Sequence, residues 1–371
     1  MKTNATDYRI YGRILMVLAL LISNTFVSAQ NRLCLEWNAE KDIVFEAGTL
    51  NEYLDLDKYK VILFGEQHNN VFDPQIKYEL ITEAHRHARI RHVFLEISVS
   101  NAWHFNRYLH TGDSNLLYIL SAKRQKTPYM HFWERLYLFN RQLPDTGKIV
   151  IHGIDFETTS VFQTLLELAP AGAEIPQGLR RVMDTIYAHR NDPPLKMWNV
   201  IDNKFVLYDN ASFVKTLRYV QDALADNLIE TKIYFGINAS VVLNIAANRT
   251  PVEVRAKRRN RTMSQAIKKI TAVQGFNRFI GFFGNQHTSY GVPGSLGNNA
   301  AKLHDINRKD VLNISEIAYN LKAADTAFRI RHFQEIVNLN GSCGASLLPA
   351  SYVPGFRKSA DFVVITDIYR Q

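Results

Sequence analysis

Short apolar runs, each closing on polar or charged residues, punctuate the chain between residues 59 and 290. The first is Val61-Ile62-Leu63-Phe64, followed by Gly65-Glu66-Gln67-His68. A short apolar run that begins with a β-branched residue reads as a buried strand, here over about 59–64. Three more runs follow the same plan. His92-Val93-Phe94-Leu95 ends in Glu96, the run 148–154 leads into Asp155-Phe156-Glu157, and 279–284 leads into Asn285-Gln286-His287. Between the first two, Asp73-Pro74 marks a helix start, because Asp caps well and Pro is tolerated in a first turn. Ile76, Leu80, Ile81 and Ala84 supply that helix with an apolar face, and the basic run 85–89 suits its C-terminal end. Strand, helix and strand within about 35 residues is the signature of a parallel βαβ unit. Val311–Ile314 and Phe362–Ile368 read as further strands.

Elsewhere the pattern turns helical. Residues 30–58 form a lead-in with a short helix, and 100–143 is helical and rich in aromatics such as Trp103, Phe105 and Trp133. Residues 158–250 read as a helical insertion, with Phe213, Leu217, Val220 and Leu224 on one helix face and a break at Asn191-Asp192-Pro193-Pro194. A basic run, 255–261, opens another helix that passes through Ile267 and Ile270 and stops near Gly275. The expected fold class is α/β: three layers, a mostly parallel central sheet flanked by helices, and a helical insertion over the C-terminal strand edge. No Gly- or Ser-rich linker interrupts the chain, so residues 30–371 are expected to form a single domain.

The N-terminus follows different rules. Lys2, Arg9 and Arg13 flank the apolar run 14–22, and Val27-Ser28-Ala29 supplies a small-residue cleavage pattern. This predicts a signal peptide over 1–29, removed near Ala29, and an exported, periplasmic or secreted protein. No later stretch is long and apolar enough for a transmembrane segment. The net charge of +9 falls to about +7 once that peptide is gone. An exported protein rarely meets nucleic acid, so the charge speaks for anionic surfaces or solubility, not nucleic-acid binding. Cys34 and Cys343 lie near the two ends of the mature chain and allow either one disulfide or two free thiols.

Four strands that end in polar residues bring those residues to one crevice if the strands are parallel. The candidates are Glu66, His68, Glu96, Asp155, Glu157, Asn285 and His287. Such a set suits hydrolysis. His68 is the natural general base, because an imidazole titrates near neutral pH. Glu66 or Glu96 would orient it, and His287, Lys77 or Arg261 would stabilise an oxyanion. The same residues also suit a metal, with His68, His287 and a carboxylate as ligands. The sequence has no His-Glu-x-x-His, no Gly-x-Ser-x-Gly, no phosphate-binding loop and no dinucleotide fingerprint.

These segments resemble one family. Gly65-Glu66-Gln67-His68, Phe94-Leu95-Glu96, Ile151-His152-Gly153-Ile154-Asp155, Arg259-Asn260-Arg261-Thr262-Met263 and Gly284-Asn285-Gln286-His287 are similar, in order and rough spacing, to motifs of the erythromycin esterase, ChaN-like and Tiki/TraB superfamily. The resemblance implies a doubly wound α/β core. In the esterase branch it implies attack of a His68-activated water on a macrolide lactone, without a required metal, and the expected activity is hydrolysis of an ester, lactone or amide carbonyl. There Glu66, Glu96, Asp155, His287 and Arg261 take supporting roles. In the other branches it implies haem or iron binding, or a divalent metal in a protease. The partner is accordingly a small-molecule substrate or haem. The sequence departs from the esterase pattern at Gly284, where that branch has a histidine, and at Lys77, where it has an arginine.

Overall fold

The computed structural model describes residues 33–35, 49–67, 70, 72–117, 127–157, 160–192, 199–201, 204–206, 211–249, 253–303, 305–319, 345–353, 356 and 358–367. The expected signal peptide, His68 and Cys343 lie outside these residues. The chain divides into two compact units, one of residues 45–313 and one of residues 1–44 with 314–371.

In chain order the elements are β1 (Leu33–Leu35), α1 (Thr49–Leu54), β2 (Val61–Glu66), α2 (Asp73–Ala88), β3 (His92–Ser98), α3 (Val99–Thr111) and α4 (Thr127–Gln142). There follow β4 (Val150–Asp155), α5 (Val161–Leu168), α6 (Arg180–Ala188), β5 (Asn199–Ile201), β6 (Lys204–Val206), α7 (Ala211–Asp226), α8 (Leu228–Phe235) and α9 (Ala239–Ala247). The last are β7 (Glu253–Arg255), α10 (Ala256–Gln274), β8 (Phe279–Gly284), α11 (Asn285–Thr288), α12 (Leu296–Ala300), β9 (Val311–Tyr319), β10 (Ala345–Pro349) and β11 (Phe362–Asp367).

The larger unit is built on parallel strands in the order β2-β8-β3-β4. They read as continuous apolar runs because helices cover both faces. On one face Leu63, Phe94, Phe279 and Phe283 pack with Met263 and Ile267 of α10. On the other, Phe64 meets Phe282 at 5.9 Å between ring centroids, and Lys77 of α2 lies over the Phe282 ring. The result is the expected three-layer, mostly parallel α/β arrangement.

The expected insertion is helical, and α5 to α9 share their own core, in which Leu165, Leu217, Val220 and Ile245 are fully buried. It also contains what the pattern did not predict, the strands β5 and β6, which form a small antiparallel sheet with β7 just beyond it. Strands of three residues carry no readable alternation, and β7 joins from beyond the far end of the insertion. In the smaller unit β11 pairs parallel with β9, and β10 pairs antiparallel with β11 and with β1. Ile317, Leu348, Val363 and Ile365 form its core.

Candidate active site

The strands β2, β8, β3 and β4 run the same way, so their C-terminal ends share one edge, where open α/β sheets bind ligands. Two close approaches shape that edge. A Cβ on Gly65 would collide with the side chains of Asn285 and Thr288, so this glycine lets α11 fold back against the end of β2. A Cβ on Gly153 would collide with the Ser98 carbonyl, where β3 shifts register against β4. That shift sits beside Glu96.

Arg259, in the first turns of α10, lies at the centre. Its Nε donates to Asp155 Oδ1 at 3.1 Å and its Nη2 to Asp155 Oδ2 at 2.5 Å, a bidentate pair. The same Nη2 lies 2.5 Å from Glu96 Oε1. Its Nη1 lies 3.3 Å from His287 Nε2. Glu96 also accepts the Gly284 backbone N–H at 2.8 Å. One guanidinium thus ties the ends of β3 and β4 to the turn that follows β8.

His287 is buried in α11. Its Nδ1 bonds Asn260 Oδ1, next to Arg259 on α10. With Asn260 presenting its carbonyl oxygen, Nδ1 carries the hydrogen, and the neutral ring keeps its lone pair on Nε2. There it accepts from Arg259. Glu96 Oε1 stands 3.4 Å from the same Nε2. The Nε2 lone pair is thus flanked by a guanidinium and a carboxylate.

The electrostatics follow from burial and pairing. Burial pushes the Glu96 carboxyl up, but the hydrogen bond to His287, the Arg259 charge and the Gly284 N–H outweigh it and hold the group well below the usual carboxylate range. Arg259 loses hydration through burial, and Asp155 and Glu96 more than restore its charged form. The cluster is a largely buried assembly of paired charges.

The remaining candidates fall elsewhere. Glu66 pairs with Lys77 on α2. Burial lowers the Lys77 pKa, and the charges of Glu66 and Asp73 reverse this, so the ammonium is held protonated. Glu157 is fully buried and bonds Ser100 Oγ at 2.6 Å, Val99 N at 3.0 Å and Asn248 Nδ2 at 3.1 Å. Burial still pushes its carboxyl up to about 7. Arg261 is exposed, two residues beyond Arg259 and so about 200° around the helix. The arginine in the cluster is Arg259, named at first only within the Arg-Asn-Arg-Thr-Met segment. One signal marks it. Arg259, Met263 and Ile267 are spaced i, i+4, i+8, and the latter two are core residues. Among the described residues no group of three or more His, Cys, Asp or Glu is placed to hold a metal. The cluster itself does not fit a cation, because the Arg259 guanidinium already occupies the space in front of His287 Nε2.

No protein-family model and no curated protein sequence matches the chain. Solved structures do match. A Bacillus cereus protein superposes with a TM-score of 0.58 at 14% identity, over 87% of this chain and 92% of the other. An erythromycin esterase mutant in its open conformation gives 0.57 at 13% identity, over 90% and 97%. This chain has the fold of an erythromycin esterase. A succinoglycan biosynthesis protein shares it too, with a TM-score of 0.56 at 12% identity over 90% and 94%. At these identities the likeness concerns the fold alone.

Proposed function

We propose that this protein is a hydrolase in which a histidine-activated water attacks the carbonyl carbon of an ester, lactone or amide. The observation that carries the reading is the Glu96–Arg259–His287 cluster at the strand edge. It combines a histidine whose Nε2 stands between a guanidinium and a carboxylate with charges fixed before substrate arrives, and preorganised charge is commonly the largest contribution to such catalysis. That one protein of this fold is named an erythromycin esterase agrees with the reading without deciding it.

In this reading His68 takes the proton of the attacking water. Its place is two residues beyond the end of β2, the strand next to β8. The tetrahedral oxyanion forms near Arg259. His287, protonated at Nε2 and steadied by Glu96, returns a proton to the leaving group. Glu66 and Asp155 act indirectly, Glu66 by holding Lys77 and Asp155 by orienting Arg259. The test is hydrolysis of an ester, lactone and amide panel by the full chain, with and without chelator, beside His68→Ala. Turnover that survives chelator and falls at least about a hundredfold in the variant is expected. No turnover, with stoichiometric haem or metal in the purified protein, would replace the hydrolase by a binding protein.

A further inference from the structure

Away from the strand ends, a cavity of about 380 Å³ lies along the outer edge of β4, between α3, α9 and α10. Glu96, Arg259 and His287 do not line it. Its size suits a small organic molecule and not a helix. The β4 edge does not invite an added peptide strand either. Asn106 donates to the Ile151 carbonyl and accepts the Ile151 N–H, both at 2.8 Å, so its amide occupies the place of a neighbouring strand. Further along the edge, Asn248 covers the Asp155 carbonyl at 2.6 Å.

The lining is sorted by chemistry. Trp103, Ile154, Ala266 and Ile270 supply apolar surface. His152, also in the lining, is buried among aromatic rings and held neutral near physiological pH. At the rim the side chains of Asn244 and Gln265 make no hydrogen bond to any described residue. Among the described residues of the lining Lys269 is the one that carries a charge, and no carboxylate accompanies it. Lys269 and Gln265 lie one turn apart on the same face of α10.

We propose that this cavity binds a small amphipathic carboxylate. The apolar body lies on Trp103 and Ile270, and the carboxylate meets Lys269 with the Gln265 amide as second donor. The sign of the ligand follows from the positive charge of Lys269, and its amphipathic shape from the division between apolar floor and polar rim. The proposal stands independently of the hydrolase reading.

The test uses decanoate and decyltrimethylammonium, below their micelle concentrations, in calorimetric titrations of the full chain. Decanoate should bind with unit stoichiometry and at least fivefold more tightly than the cation. Ala247→Trp, at an exposed lining position, should abolish binding by filling the cavity, and Lys269→Glu should reverse the preference between the two probes. Both positions are exposed, so folding is retained and circular dichroism checks it. Equal affinity for the two probes, no binding of either, or decanoate binding unchanged in Ala247→Trp would each overturn the proposal.

Discussion

The same two neighbouring strands, β3 and β4, carry buried polar groups at both ends and treat them in opposite ways. At their C-terminal ends Glu96 and Asp155 both pair with Arg259, and Glu96 is held charged. At their N-terminal ends His92 and His152 bond to each other at 3.0 Å and stack with Phe94 and Phe276. There burial, with no carboxylate among the causes, lowers the His92 pKa to about 4 and the His152 pKa to about 3. Burial alone drives Glu96, His92 and His152 towards neutrality, and a compensating ion decides whether charge survives. The edge that parallel topology gives to ligands holds the fixed charge. The opposite end is electrically quiet and serves packing.

The contrast breaks most severely at Arg259. Arg259→Met leaves two buried carboxylates without a cation and should cost about 3–5 kcal/mol in urea unfolding, the usual penalty for stripping one partner from a buried pair. Arg259→Lys should recover part of that stability, since a lysine restores charge but not the bidentate geometry. A loss below about 1 kcal/mol for the methionine variant would show that the carboxylates escape to water.

The histidine end should respond to acid. The folded state holds the His92 and His152 pKa values below the 6.5 of an unfolded chain, so it binds fewer protons than the unfolded state between them. Stability from this pair is therefore complete above about pH 6.5 and falls as pH drops towards 3. A span of about 4 kcal/mol is expected from His152, and His152→Phe should flatten the curve in that window. Unfolding midpoints measured from pH 7 to pH 3.5 check it.

Glu157 sharpens the comparison, because it is fully buried and its bonds to Ser100, Val99 and Asn248 do not outweigh that burial. Its carboxyl is raised to about 7, so the folded state binds more protons than the unfolded state from about pH 4.5 to 7. The sign is opposite to that of the histidines. Its contribution is present at low pH and lost as pH rises through about 7, by about 3 kcal/mol. Glu157→Gln should remove this slope, and a stability that still declines from pH 5 to pH 8 in the variant would assign the slope elsewhere.

The smallest effect belongs to Arg261. Exposed on α10, it should change stability by no more than about 0.5 kcal/mol as Arg261→Ala, and leave any turnover unaltered. Against Arg259→Met this measures how strictly helix phase selects one arginine of a basic run.

That selection also shows what the sequence could and could not tell. The strands were legible because apolar runs bounded by polar residues have few other uses. The strand at Phe279–Gly284 and the helix from Asp73 fall where the pattern places them. Composition alone could not choose among the basic residues of 255–261, because every one is equally polar. Only the phase of α10, fixed by burial of Met263 and Ile267, puts Arg259 inside and Arg261 outside. The one-turn helix that carries His287 was hidden as well, since it depends on contact with Gly65, more than two hundred residues away. The short sheet of β5 to β7 and the asparagine that seals the β4 edge are likewise long-range pairings without local periodicity.

The most direct test of the central claim is the turnover of His287→Asn on whichever ester, lactone or amide the wild type hydrolyses, measured beside its unfolding midpoint. A fall in kcat of at least about a hundredfold, with the midpoint within a few degrees of wild type, is the predicted result. Unchanged kcat in a folded variant would contradict it and remove the Glu96–Arg259–His287 cluster from the chemistry.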